Sequence, residues 1–229
     1  MDKPPLPRPE HPDPYRVESR VRVLDNPWIR LREDRYHHRK GMDGRYIVVG
    51  FQRTACGVLA LDEQDRVVLV GQWRYPLEEY SWELPEGGGE PEESPFDAAR
   101  RELAEEAGLS AQVWEPLAFF HPSNSTTDEE AFLFLARGLG PAEHHHQPDG
   151  NEELAVHREP FDACLARVLA GEIRDSLTVV ATLALQARRS GSPTALDPVL
   201  AERFFQRPSE HPSAGRARWG SVPMVEGPP

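Results

Sequence analysis

Cysteine and long apolar runs are scarce in this sequence. Only Cys56 and Cys164 occur among its 229 residues. Two cysteines are too few for a disulfide framework, so we expect a reduced, cytoplasmic setting in which both pack as small apolar side chains. No apolar run reaches the roughly 18 residues that a membrane-spanning helix needs, and residues 1–15 lack the apolar core of a signal peptide. The sequence therefore predicts a cytoplasmic protein with no membrane partner.

Positive charge is also in short supply. Lysine and arginine number 26 against 38 aspartates and glutamates, which gives a formal net charge of −12 and a pI near 5.2. This balance argues against nucleic acid as a partner, because binding a phosphate backbone needs a basic surface. A small phosphorylated substrate stays compatible, since bound metal ions supply local positive charge.

The distribution of proline, glycine and apolar residues divides the chain into four parts. Residues 1–14 are proline-rich and predicted to be a disordered tail, and residues 207–229 are predicted to be a flexible tail. Residues 15–53 alternate polar and apolar side chains, which predicts a small antiparallel sheet that is marginal by itself. Strands before and after one central helix, closed by a C-terminal helix, predict an α/β/α sandwich with a mixed sheet over residues 54–206.

The residues that carry chemistry are concentrated between Trp82 and Leu109. The segment Pro95–Ala107 is rich in strong helix formers and is predicted to be a helix. Ser94 can cap its first turn, proline suits its first position, and Gly108 is a natural end.

Three glutamates and one arginine lie on this predicted helix. Glu102 and Glu106 are one turn apart and Glu105 lies beside them, so three carboxylates crowd one face. Their repulsion is costly unless a cation is present, and Mg²⁺ or Mn²⁺ favours such oxygen ligands. Arg101 can hold one carboxylate by a bidentate contact. A solvated acidic helix beside an incidental glycine loop is the alternative for a bare pair of glutamates.

The spacing of the segment resembles the Nudix box, the signature of the Nudix hydrolases: Gly87, five residues, Glu93, seven residues, then Arg101–Leu109. The resemblance spans about residues 55–188 and implies the Nudix-type α/β/α sandwich. It also implies that the glycines after Glu86 form a loop beside a metal, Mg²⁺ or Mn²⁺. The metal ligands and catalytic residues that it implies are Glu86 through its backbone carbonyl, Glu93, Glu102, Glu105, Glu106 and the orienting Arg101.

Three further runs resemble the branch of the family that cleaves ADP-ribose and nucleoside diphosphate sugars. They are residues 72–76 (QWRYP), residues 83–85 (ELP) and residues 122–129 (PSNSTTDE). The resemblance implies metal-dependent hydrolysis of a pyrophosphate bond that yields a nucleoside monophosphate and a sugar phosphate. The Ser-Asn-Ser version of the last run is reminiscent of enzymes acting on GDP-mannose, so a GDP-mannose or dinucleotide substrate is the alternative.

The same resemblance suggests residues for substrate binding and base catalysis. Arg74 would contact the diphosphate or the terminal sugar, and Glu129 would contact a ribose or a metal-bound water. An acidic loop, Asp149–Glu153, would deliver the general base, with Glu152 preferred to Glu153. Each of these charged residues has a plain alternative as a solvated surface group.

Two aromatic residues, Trp28 and Tyr75, are candidates for stacking on the base. In the resembling branch the N-terminal sheet is commonly exchanged between subunits, so residues 15–53 are predicted to form a homodimer interface. Core or dimer packing is the alternative role for Trp28. A nucleotide-sensing module without turnover is a third hypothesis, although such a module would be expected to lack some of the metal carboxylates.

Overall fold

The computed structural model describes residues 6–7, 10–90, 92–143, 153–192, 196–207 and 223. The strands are β1 (Tyr15–Asp25), β2 (Ile29–His38), β3 (Met42–Phe51), β4 (Thr54–Ala60), β5 (Arg66–Arg74), β6 (Glu79–Glu83), β7 (Glu86–Gly89), β8 (Leu109–Phe120), β9 (Ala131–Pro141) and β10 (Ala155–Pro160). The helices are α1 (Pro95–Ala107), α2 (Phe161–Ala170), α3 (Ser176–Arg189) and α4 (Pro198–Glu202). None of the described helices is long and apolar enough to cross a membrane.

A four-stranded mixed sheet lies at the centre of the fold, in the order β7-β4-β9-β8. Strands β4 and β9 run parallel, whereas β7 and β8 pair antiparallel to their neighbours. A second, antiparallel sheet has the order β10-β5-β6. A bridge between Leu61 and Val67 closes the hairpin from β4 to β5, which joins the two sheets.

Helices cover both faces of the central sheet because β4 and β9 are apolar on both sides. Alternate residues such as Val58 and Phe134 pack with Leu103 of α1. The intervening residues, such as Leu59, pack in a second cluster with Leu177 of α3 and with α2. Since side chains alternate along a strand, two apolar faces need two covering layers. The predicted α/β/α sandwich with a mixed sheet is confirmed.

The predicted N-terminal antiparallel sheet is also confirmed. It has the order β1-β2-β3, and β2 pairs with β3 in continuous register from Ile29–Phe51 to His38–Met42. A parallel bridge from Val49 to Thr127 connects it to the loop before β9. The two predicted tails, residues 1–14 and 207–229, lie mostly outside the described residues.

One local prediction is wrong. The glycines after Glu86 do not form a loop, because Glu86–Gly89 is strand β7 and pairs antiparallel with β4, from Gly57–Glu86 to Thr54–Gly89. Glycine has low strand propensity, so the pairing is imposed by tertiary packing. The strand brings the segment before α1 directly against that helix.

Candidate active site

Helix α1, which carries most of the predicted metal ligands, begins and ends where the sequence predicts. The Ser94 hydroxyl accepts a hydrogen bond from the backbone N–H of Asp97 at 3.1 Å, and proline takes the first helical position. Gly108 ends the helix in the left-handed conformation at φ 67°, and its N–H donates to the carbonyl of Ala104. Both caps satisfy backbone groups that would otherwise lack partners, so the helix is held at its ends.

The guanidinium of Arg101 joins three of the predicted metal ligands. It donates two hydrogen bonds of 3.0 Å to Glu93, one of 2.8 Å to Glu102 and one of 2.9 Å to Glu105. A further bond of 3.1 Å reaches the carbonyl of Gly88 on β7. The predicted orienting role of Arg101 therefore has a geometric basis, since one rigid cation fixes three carboxylates and the neighbouring strand.

These contacts also shift the pKa values of Glu93 and Arg101. Burial alone would raise the pKa of Glu93, but hydrogen bonds from Arg101 and from the backbone of Glu90 lower it. Burial alone would lower the pKa of Arg101, whereas its bonds to the glutamates raise it. Opposite charges stabilise one another here, so Glu93 remains an anion at neutral pH.

Glu106 is held from the other side, by strand β7. Its Oε2 accepts a hydrogen bond of 2.8 Å from the backbone N–H of Glu86. The neighbouring Gly87 lies directly against Glu102, since a Cβ at this position would lie 2.6 Å from Glu102 Oε2 and closer still to Cδ. Strand β7 therefore fits closely against the carboxylates of α1, and only glycine leaves room for Glu102.

We call Glu93, Glu102, Glu105 and Glu106 the box carboxylates. All their donor atoms are carboxylate oxygens, the chemistry that Mg²⁺ and Mn²⁺ prefer. Within the described part of the chain, however, no three His, Cys, Asp or Glu side chains adopt a metal-holding arrangement. In this arrangement Arg101 supplies the positive charge among them. The residue types fit a divalent metal.

Arg74 lies at the end of β5 and is not a free surface arginine. Its Nε donates to Glu83 at 2.9 and 3.0 Å, and its Nη2 also contacts the same carboxylate. Nη2 further reaches Oε1 of Glu86 at 3.4 Å. Glu83 is 3% exposed and the side chain of Arg74 is 36% exposed, so the carboxylate is protected from solvent and the guanidinium is partly accessible. Two carboxylates therefore compete with any substrate for the charge of Arg74.

The side chain of Glu86 is itself unusual. It is 10% exposed, and its buried Oε2 has no N–H or hydroxyl donor among the described residues. Burial raises its pKa well above the ordinary value, and the nearby carboxylates of Asp175 and Glu83 raise it further, against the opposing charge of Arg74. A side-chain hydrogen bond with Asp175 also raises this pKa, so the two acids share a proton more readily than either holds a full charge. The sequence reasoning considered only the backbone carbonyl of this residue and missed its buried carboxyl group.

The N-terminus of α3 completes this region. Asp175 caps the helix by accepting from the N–H of Thr178 at 2.7 Å and from its hydroxyl at 2.8 Å. The hydroxyl of Thr178 accepts in turn from the backbone N–H of Leu84 at 2.9 Å, in a fully buried position. The run Asp-Ser-Leu-Thr is a recognisable helix start, but nothing in the run itself indicates that Thr178 contacts Leu84, just before strand β7.

An open cavity of about 560 Å³ adjoins these groups. We call it the Arg74 cavity. Its charged lining consists of five acids and two arginines: Glu79, Glu83, Glu86, Glu172, Asp175, Arg74 and Arg174. Three acids pair with arginines, Glu83 with Arg74, Glu79 with Arg174 at 2.5 Å, and Glu172 with Arg167 at 2.6 Å. The surplus of carboxylates makes the cavity acidic.

The other predicted site residues have different surroundings. Trp28 and Tyr75 are 68% and 86% exposed, so both rings are available for contact. Glu129 is half-buried, and burial together with the adjacent Asp128 raises its pKa. Glu153 is exposed just before β10, and Glu152 lies outside the described residues. The structure thus brings Arg101, Arg74 and the glutamates of β7 and α1 together, and it leaves the general base unassigned.

A larger cleft of about 720 Å³ lies between the N-terminal sheet and the loop before β9. Its walls include Tyr15, Tyr36 and Tyr46, together with a buried ion pair of 2.9 Å from Arg32 to Asp34. Sequence reasoning missed this cleft. The alternation along β1–β3 signals a two-faced sheet but not which element faces it.

Comparison with known proteins agrees with the geometry. The model of the NUDIX domain matches residues 51–178. Two proteins named ADP-ribose pyrophosphatase are similar to this chain. The one from Mycobacterium tuberculosis is 34% identical over 152 residues, which are 62% of this chain and 70% of the relative. The one from Bacillus subtilis is 32% identical over 136 residues, which are 59% of this chain and 74% of the relative. The methanol dehydrogenase activator of Bacillus methanolicus is 34% identical over 136 residues, again 59% and 74%.

A solved structure described as an ADP compounds hydrolase has the same fold. It superposes with a TM-score of 0.70 at 19% identity, over 80% of this chain and 98% of the other. The family model covers more than half of this chain and includes strand β7, helix α1 and every box carboxylate. The chain therefore belongs to the Nudix family and is a Nudix hydrolase.

Proposed function

We propose that this Nudix hydrolase cleaves the pyrophosphate bond of ADP-ribose or of a related nucleoside diphosphate sugar. With ADP-ribose the products are AMP and ribose 5-phosphate. The observation that carries the proposal is the group of four box carboxylates, three of them held by Arg101 and the fourth, Glu106, by the backbone N–H of Glu86, in a chain similar to two proteins named ADP-ribose pyrophosphatase. The Ser-Asn-Ser run at residues 123–125 keeps GDP-mannose as a second candidate substrate.

The box carboxylates and the backbone carbonyl of Glu86 would hold Mg²⁺ or Mn²⁺. A bound divalent ion neutralises diphosphate oxygens and activates a water molecule. Arg101 keeps Glu93 ionised and holds Glu102 and Glu105 in place until the metal binds. Glu106 and Arg101 thus serve catalysis through the metal site and through its alignment.

Other residues would bind substrate or move a proton. Arg74 would contact the diphosphate or the sugar, although its guanidinium also forms ion pairs with Glu83 and Glu86. Glu129, Trp28 and Tyr75 remain candidates for binding the ribose and the base. Glu152, and after it Glu153, is the candidate general base, because a carboxylate on a loop can approach the attacking water.

We also propose that the chain works as a homodimer in a reducing, cytoplasmic compartment. The N-terminal sheet exposes several apolar side chains, including Val23, Trp28 and Ile47, which a second subunit would cover. Both cysteines are buried and unpaired, and burial raises the pKa of the Cys56 thiol to about 12, so neither is suited to redox chemistry.

The test is product release from a substrate panel, with Mg²⁺ and with a chelator. The panel contains ADP-ribose, GDP-mannose, UDP-glucose, NADH and diadenosine polyphosphates. We expect metal-dependent cleavage of ADP-ribose or of one nucleotide sugar, and loss of turnover in the Glu106→Gln variant. Tight binding of one compound without cleavage of any would refute the enzymatic proposal and favour a nucleotide-sensing module.

A further inference from the structure

The link between strands β6 and β7 consists of two residues, Leu84 and Pro85, and it joins the antiparallel sheet to the central sheet. Leu84 is fully buried. Proline has no backbone N–H, so the link offers a single N–H donor, that of Leu84. A buried N–H needs an acceptor, and the place of the link therefore depends on where that acceptor lies.

The acceptor is the hydroxyl of Thr178, which lies in the first turn of α3 and 94 residues further along the chain. This hydroxyl accepts from the N–H of Leu84 at 2.9 Å and donates to the carboxylate of Asp175 at 2.8 Å. Thr178 is 0% exposed. Because the hydroxyl is buried and acts as donor and acceptor at once, its direction is fixed, and α3 holds the link at a defined place.

The link transmits this position to the box carboxylates. The carbonyl of Pro85 accepts from the N–H of Val58 on β4 at 2.9 Å, and the N–H of Glu86 donates to Glu106 at 2.8 Å. Three successive residues are thus each bound to a different element, namely α3, β4 and α1. Peptide units are planar and rigid, so a displacement of Leu84 also displaces the N–H and the carbonyl of Glu86.

We propose that Thr178 is a positioning residue for the metal site: its buried hydroxyl fixes Leu84 and thereby aligns the backbone of Glu86 with Glu106. This inference rests on the proposed function and adds to it a residue of α3, outside the box. Hydrogen-bonded groups behind metal ligands typically contribute about 10- to 100-fold to metal affinity or activity.

The test measures binding of Mn²⁺ to the free enzyme by titration calorimetry, together with Mn²⁺-dependent product release. Thr178→Val keeps the side-chain shape and removes the hydroxyl, so the buried N–H of Leu84 loses its acceptor. We expect the Kd for Mn²⁺ to rise by about 10- to 100-fold and kcat/KM to fall by a similar factor. Thr178→Ser keeps the hydroxyl and is expected to bring the Kd to within about threefold of the wild type.

Two controls on the same helix separate alignment from a general loss of stability. Thr182 is also 0% exposed, but its hydroxyl lies 3.9 Å from the thiol of Cys164 on α2, so Thr182→Val makes the same chemical change away from the link. Leu185→Ala opens a cavity in the core and should lower the Tm more than Thr178→Val does. Both controls are expected to keep the wild-type Kd for Mn²⁺. If the valine variant does not fold, as judged by its Tm, Thr178→Ala takes its place.

The outcomes are distinguishable. A raised Kd that serine restores and that both controls lack supports the inference. A wild-type Kd in the folded Thr178→Val enzyme would overturn it, and so would an equal rise in Leu185→Ala, because Thr178 would then act through stability alone. An unmutated enzyme that binds Mn²⁺ but cleaves no compound of the panel would refute the proposed function, while the Kd values would still decide the alignment. An unmutated enzyme that binds no Mn²⁺ would refute both.

Discussion

The close approach of Gly87 to Glu102 leads to a sharp prediction. A Cβ at position 87 would lie 2.6 Å from Glu102 Oε2 and closer still to Cδ and Oε1, whereas ordinary contact begins near 3.4 Å, so the carboxylate must move by about 1 Å. Glu102 is 8% exposed and bound to Arg101, so moving it strains this hydrogen bond as well as the rotamer, at a cost of about 1 to 2 kcal/mol that the reduced backbone entropy of the unfolded alanine chain partly offsets. Gly87→Ala should therefore fold, with a Tm lower than that of the wild type by no more than about 6 °C.

Its activity should fall far more than its stability. Misplacing a catalytic group by about 1 Å commonly costs on the order of 100-fold in rate, so we expect kcat/KM for the preferred substrate to fall by about that factor. The assay pairs thermal unfolding with Mg²⁺-dependent product release. The matched control is Gly140→Ala on β9, where a Cβ would meet only Ser110 Oγ at 3.7 Å. A folded Gly87→Ala enzyme with activity within twofold of the wild type would refute the reasoning.

Other substitutions test the remaining interactions. Arg101→Lys replaces a planar fork with a single ammonium, which cannot bind Glu93 in two places and still reach the helix carboxylates, so we expect turnover to fall at least about tenfold in the same assay. Arg203→Met leaves Glu130 with only His121, 4.0 Å away, in a site where the side chains of Arg203 and Glu130 are both 13% exposed. It should lower the free energy of unfolding by about 2 kcal/mol in urea titrations, and a loss below about 0.5 kcal/mol would contradict this. Because burial and Asp128 raise the pKa of Glu129 in the folded state, its contribution is complete below about pH 4.3 and is lost as pH rises through the folded pKa. Glu129→Gln should therefore flatten the decline of stability over that window; an unchanged pH profile would show that Glu129 does not contribute.

Local features of the sequence were sufficient to predict helix α1 correctly. Ser94, Pro95 and Gly108 act within three or four residues of the helix ends, and such contacts form wherever the helix forms. The alternating pattern also predicted an N-terminal antiparallel sheet. The turn between its second and third strands contains Gly41 at φ 84°, and β3 begins at Met42.

Local rules failed at strand β7. Three successive glycines favour a loop by propensity, yet Glu86–Gly89 pairs with β4. A Cβ at Gly87 would meet Glu102 of α1, and a Cβ at Gly89 would meet Thr54 of β4, so the close fit of the strand depends on glycine at these two positions. The spacing of the box placed the carboxylates on one face of α1, but it could not show that Arg101 occupies the centre of the group. That contact joins Arg101 to Glu93, eight residues away, and to the carbonyl of Gly88 on another element.

The sequence by itself determined the helix, its caps, the set of oxygen ligands and, through its spacing, the family. These depend on interactions between residues that are near one another in the chain. The tertiary structure alone decided that Arg74 is paired, that the side chain of Glu86 is buried, and that Asp175 shares a hydrogen bond with it. Those three residues come from β5, β7 and the N-terminus of α3, and their contact depends on strand register and helix packing, which no local pattern encodes.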